Sequence, residues 1–198
     1  MAKLETVSGK FIDILDPTPE DILLEDISWS LSRQARFNGH TISEQPYSTG
    51  LHSIFVADMI WGKTQDPYNA QFGLLHDSSE MVISDLPSPV KHIPALRDQI
   101  DKIENNILNI INLKFVGRLP TTDEWDIVKY YDRRSCQIEA FHFMNSRGKT
   151  KEWGFTQAIS LVDLQAFPLP ESSVQTHEKF LKKYEYFKNL IEEIQHKG

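Results

Sequence analysis

The stretch FGLLHDSSEMVISDLPSPVKH, residues 72–92, constrains this chain more than any other. It begins as an apolar helix of the kind that packs into a core, and then sets His76, Asp77, Glu80 and Asp85 within ten positions. Titratable groups leave water only when paired, hydrogen-bonded or bound to a metal. A fold that buries this run must therefore bring further polar groups to it. A chain of 198 residues, 40% hydrophobic and 11% aromatic, can build one substantial core around such a run. The expectation is a single domain over 1–198, with its core at about 20–147 and a C-terminal cover over 148–198.

Apolar residues recur at spacings of three and four through long windows, while strand-like alternation is scarce. Helices are expected at about 20–36, 50–63, 68–82, 94–113, 122–147 and 173–195. The opening VSGKFIDILDPTPED reads instead as a short β-like or irregular segment, and RFNGHTISEQPYSTG as a loop. The formal charge of −7 argues against direct nucleic-acid binding, which requires a basic face. The lone Cys136 excludes an intrachain disulfide and reads as small core filler, consistent with a reducing compartment. No stretch of about 18 apolar residues is present to span a membrane. A cytoplasmic protein is expected, in the host's cytoplasm if the source is viral.

Within 68–82 read as one helix, His76 and Glu80 share a face, while Asp77 points about a third of a turn away. Adjacent ligands converge on one centre only at a helix end, or when two metals are bound. Imidazole with carboxylate suits a divalent transition metal better than calcium. The rest of the chain offers partners: His52 in YSTGLHSIFVADMI and Asp132 in IVKYYDRRSCQIEAF, giving the order H, then HD, then D on separate helices.

That order resembles the HD-domain metal-dependent phosphohydrolases. LLHDSSEMVISDLPSPVKH is similar to a segment of 5'-deoxynucleotidases and of phage deoxynucleotide phosphohydrolases, and SGKFIDILDPTPEDILLEDISWSLSRQARFNGHT to the amino-terminal segment of phage members. The resemblance implies an all-α HD-domain bundle with a central site in which His52, His76, Asp77 and Asp132 hold one divalent ion. Cobalt, manganese or zinc are the expected metals, with magnesium a further option and a second ion accompanying a triphosphate. It also implies that Glu80 and Asp85 serve catalysis, Glu80 orienting the nucleophile and Asp85 protonating or positioning the leaving oxygen; spacing leaves open which is acid and which base.

Arg36-Phe37 occupies the place of an Arg-Trp pair that contributes to nucleotide binding in 5'-deoxynucleotidases, with phenylalanine keeping a stacking face but losing the indole donor. Lys129, three residues before Asp132, and Lys91 are further candidates for substrate phosphate. His40 reads as a loop-fixing histidine, and the four tryptophans as packing residues. The leading expectation is a deoxynucleoside triphosphate triphosphohydrolase, with dATP as a candidate substrate, that shapes the nucleotide pool in phage DNA replication. A 5'-deoxynucleotidase acting on monophosphates is the alternative, and a non-catalytic nucleotide-binding regulatory module the reading from another class. Relatives form dimers or rings, so a homo-oligomer is expected.

Overall fold

The hydrophobic stripes of the long helices close around one another in the computed structural model, which describes residues 2–197. The architecture is an all-α, HD-like bundle with a two-stranded antiparallel sheet at its amino end, β1 (Lys3–Glu5) and β2 (Phe11–Asp13), in which Leu4 pairs with Ile12. This hairpin is fastened to α1 (Leu24–Arg33) by buried Asp26, which accepts from Ser8 N at 2.8 Å, Ser8 Oγ at 2.7 Å and Thr6 Oγ1 at 2.9 Å.

At the centre lie α2 (Thr49–Thr64) and α3 (Pro67–Leu75), apolar on nearly every face and accordingly buried. Their starts are fixed locally. Ser48 accepts from Leu51 N at 3.2 Å, and Asp66 accepts from Tyr68 N at 2.8 Å with Pro67 in the first turn. Gly50 permits a close approach, since a Cβ there would lie 3.1 Å from both Ser32 N and Thr176 Cγ2. The next elements are α4 (Glu80–Ile83), α5 (Ser88–Lys91), α6 (Pro94–Phe115) and α7 (Thr122–Phe143). A reciprocal cap between Thr121 and Glu124 starts α7.

The connection from 148 to 172 is irregular apart from a turn at Lys151–Trp153 and α8 (Leu161–Gln165). Phe167 descends from it into a second apolar cluster with Tyr47, Leu51, Phe55, Ile138 and Phe143. Finally α9 (Ser173–Lys197) lays Phe180, Tyr184, Phe187 and Ile191, spaced by three and four, against α1 and α3. Among the described residues no helix is long and apolar enough to cross a membrane.

One expected element is divided. The helix expected over 68–82 stops at Leu75, and residues 76–79 form a tightened turn with Ser78 N bonded to Leu75 O at 3.0 Å and Glu80 N to Asp77 O at 2.9 Å. Asp77, Ser78 and Ser79 are weak helix formers whose side chains compete for backbone groups. The helix expected over 20–36 is likewise shortened to α1 because Gln34 is extended, and that over 122–147 ends where Met144 becomes extended.

Truncating fully buried Phe180 would open a cavity between α9 and the central helices. Phe180→Ala is expected to lower the unfolding free energy by about 3–5 kcal/mol, read from the midpoint of urea denaturation.

Candidate metal centre

Three helices bring polar side chains to one point in the core. His52 is in the first turn of α2, His76 caps the C-terminus of α3, and Asp132 lies midway along α7. One ligand atom from each falls within 4.8 Å of the other two. His52 Nε2 is 3.2 Å from His76 Nε2 and 3.1 Å from Asp132 Oδ1, and His76 Nε2 is 3.7 Å from the same carboxylate oxygen.

The outer ring nitrogens explain this arrangement. His52 Nδ1 donates to Glu139 Oε1 at 2.5 Å, and His76 Nδ1 donates to the Gly73 carbonyl at 2.7 Å. Both partners only accept, so each Nδ1 carries a proton and each ring turns its Nε2 inward, where it is free to bind a metal ion or a second proton. With both rings neutral, two lone pairs face each other across 3.2 Å, an opposition that a metal ion or a proton between them relieves. Two nitrogens bound at about 2.1 Å to one divalent ion lie roughly 3.0–3.4 Å apart, so the donor set fits such an ion.

Asp77 flanks the trio. The end of α3 at Leu75 lets this adjacent residue turn back, with Oδ1 at 3.3 Å from His76 Nε2 and Oδ2 at 3.5 Å from His52 Nε2. Its Oδ2 is buried and accepts no hydrogen bond among the described residues, with the Arg36 guanidinium 3.6 Å away as a charge partner, so it keeps lone pairs for a metal ion.

Charge inside the site is divided. Burial opposes ionisation of Asp77 and Asp132, yet the facing histidines hold both carboxyls below their usual range. Burial likewise opposes charge on His76, but Asp77 and Asp132 raise its proton affinity; on His52 burial and Arg36 are outweighed by Glu139 and Asp132. Protons therefore compete with a metal for both Nε2 atoms. Glu80 and Asp85 are displaced the other way, chiefly by burial, with Asp77 adding to both.

The profile of the family described as 5'-deoxynucleotidase YfbR-like matches residues 29–195. The chain belongs to the YfbR-like family. It is 33% identical over 140 residues to an uncharacterized protein of Rhodobacter capsulatus, covering 68% of this chain and 69% of the relative. It is 30% identical over 134 residues to the uncharacterized protein YfdR of Escherichia coli, covering 67% of each. A YfbR-like chain is a metal-dependent HD-domain hydrolase.

In this YfbR-like protein a cleft of about 160 Å³ opens beside the centre, lined by His76, Asp77, Glu80, Lys91, Lys129 and Asp132 among others. Glu80 is buried; its Oε1 accepts from Lys91 at 3.2 Å, while Oε2 has no partner among the described residues. Gln34 steadies this region, donating to the Glu80 carbonyl at 2.9 Å and accepting from Asp85 N at 3.0 Å. Arg36 enters from the loop after α1, but its guanidinium already faces Glu139, Asp77 and Asp85 at 3.3, 3.6 and 3.7 Å. Lys129 reaches the cleft rim and pairs with Asp126 at 2.7 Å.

Four expected residues lie outside the cleft lining: His52, Arg36, Asp85 and Phe37. Asp85 meets the site through Arg36, and Phe37, held at φ 55°, packs edge-on against Trp153 with ring centroids 6.0 Å apart. His40 lines a separate surface hollow with Met144 and Ser146. Sequence reasoning missed Glu139, although it lies seven residues after Asp132 and so shares its helix face, with Ser135 between them donating to it at 2.8 Å.

Glu139 fixes His52 in orientation and tautomer, the function that outer partners of metal-binding imidazoles serve. Glu139→Gln is expected to weaken manganese binding about tenfold or more in a competition titration. Because both histidines bind protons more tightly than usual, affinity falls on acidification from pH 8 to pH 6, by about tenfold per pH unit for each proton displaced. Affinity unchanged over that range would contradict the competition.

Proposed function

We propose that this protein is a divalent-metal-dependent 5'-deoxynucleotidase that releases orthophosphate from deoxynucleoside monophosphates. The observation that carries this reading is the state of the cations around the cleft. Arg36, Lys91 and Lys129 each already face carboxylates. A monophosphate dianion places one phosphate at the metal centre and draws on few of them. A triphosphate brings about twice the charge and must pull several from their partners. The family's description supports the same substrate class.

In this reading His52, His76, Asp77 and Asp132 are the ligands. A divalent ion held there supplies Lewis acidity toward the phosphate. The remaining work falls to the chain's own groups. Glu80, whose Oε2 has no partner among the described residues, orients the attacking water and accepts its proton in this reading, a role favoured by the raised proton affinity that burial and Asp77 impose. Asp85, also raised, serves the leaving 5'-oxygen. Arg36 orients the phosphate while holding Asp77 and Asp85 apart in charge. Lys91 and Lys129 meet phosphate oxygens from the wall and rim. Phe37 offers a ring face to the sugar or base. The cleft, at about 160 Å³, is smaller than the roughly 300 Å³ and upward of most ligand pockets, which suits capture of the phosphate end with the nucleoside outside.

A second reading, a deoxynucleoside triphosphate triphosphohydrolase acting on dATP in a phage nucleotide pool, draws support from Lys91 and Lys129 lining the same cleft. A tail of two further phosphates could recruit both.

Chelator-stripped protein reloaded with manganese, cobalt, zinc or magnesium separates the two when product is assayed on matched mono- and triphosphates. Orthophosphate from monophosphates is expected; inorganic triphosphate from one deoxynucleoside triphosphate would establish the second reading instead. Glu80→Gln is expected to retain metal while turnover falls by about 100-fold or more.

A further inference from the structure

The cleft contains one carboxylate that the mechanism above leaves unused. Glu104, on α6, lines it together with Glu80, and the Lys91 ammonium stands between them, 2.8 Å from Glu104 Oε1 and 3.2 Å from Glu80 Oε1. The two contacts differ in kind. Lys91 donates a hydrogen bond to Glu80, whereas its contact with the buried Glu104 Oε1 is the closer ion pair. The Glu104 contact therefore holds the ammonium's charge in place at least as closely as Glu80 does.

The supports differ too. Lys91 ends the four-residue α5 that follows the Asp85-Leu86-Pro87 turn, whereas Glu104 projects from the 22-residue α6. Both side chains border solvent, at 26% and 20% exposure, so neither is sealed against a change of partner.

Resting on the deoxynucleotidase reading, we propose that Glu104 is a positioning residue that keeps the Lys91 ammonium at the cleft wall while it exchanges Glu80 for the substrate's phosphate. A lysine with one carboxylate partner must surrender its whole ion pair to meet a phosphate, or stay and leave the phosphate uncompensated. A lysine with two keeps one through the exchange. The exchange also frees Glu80 Oε1 from its hydrogen bond to Lys91 while the ammonium stays beside Glu104.

The test compares wild type, Glu104→Gln, Glu104→Asp, Lys91→Met and the Lys91→Met/Glu104→Gln double variant, all manganese-loaded. KM and kcat are measured on a deoxynucleoside monophosphate, and inorganic phosphate binding by calorimetry. Glu104→Gln is expected to raise KM and weaken phosphate binding about fivefold, with kcat changing less. Glu104→Asp, which keeps the charge, is expected to recover part of that loss. In the Lys91→Met background Glu104→Gln is expected to add nothing, because the two residues act as one unit. Unchanged KM and phosphate affinity in Glu104→Gln, or an equal loss with and without Lys91, would overturn the proposal. Wild-type protein that hydrolyses no deoxynucleoside monophosphate would defeat the substrate reading alone, since phosphate binding across the variants still reports on Glu104.

Discussion

The convergence of two imidazole Nε2 atoms on one buried point is the constraint on which the site depends. Glu139 and the Gly73 carbonyl take the outer protons of His52 and His76, which turns both Nε2 atoms toward each other, 3.2 Å apart in the core. A metal ion between them relieves the opposition, and in its place protons do, with Asp132 and Asp77 beside the two nitrogens as partners. The surrounding helices are arranged to hold that geometry. Close approach at Gly50 seats α2 against α1 and α9, α3 ends at Leu75 so that Asp77 can turn inward, and α7 supplies Asp132 and Glu139 from one face.

Around this point the fold sorts carboxyl groups by environment. Asp77, Asp132 and Glu139 face histidine or arginine and ionise readily, while Glu80 and Asp85 bind protons more tightly because burial and the neighbouring anions oppose their charge. Groups of one chemical type are thereby divided between those suited to hold a cation and those suited to handle a proton. Arg36 lies on the boundary and touches members of both sets.

Much of this was legible in the sequence because it is local or periodic. The helices around His52, His76 and Asp132 follow from three- and four-residue apolar spacing, and the short motif after Phe72 carries the resemblance to the family. The break after Leu75 was harder to read, since apolar spacing runs on through Met81 and the cause is competition by Asp77, Ser78 and Ser79 for backbone groups. Tertiary pairing was not legible. The sequence offers Arg36 and Lys91 as cations for a phosphate, and only the fold reveals that each already lies between carboxylates. Glu104 gave no signal, because its meaning depends on how α6 is rotated against α5. Glu139 gave one, the seven-residue spacing from Asp132, which has weight only once Asp132 is placed at the centre.

Anomalous diffraction from crystals of the manganese-loaded protein tests the central claim most directly. The account predicts one strong peak at about 2.0–2.3 Å from His52 Nε2, His76 Nε2 and a carboxylate oxygen of Asp132, with the Asp77 carboxylate turned toward it. Full manganese loading with the peak elsewhere, and the two imidazoles still facing one another, would contradict it.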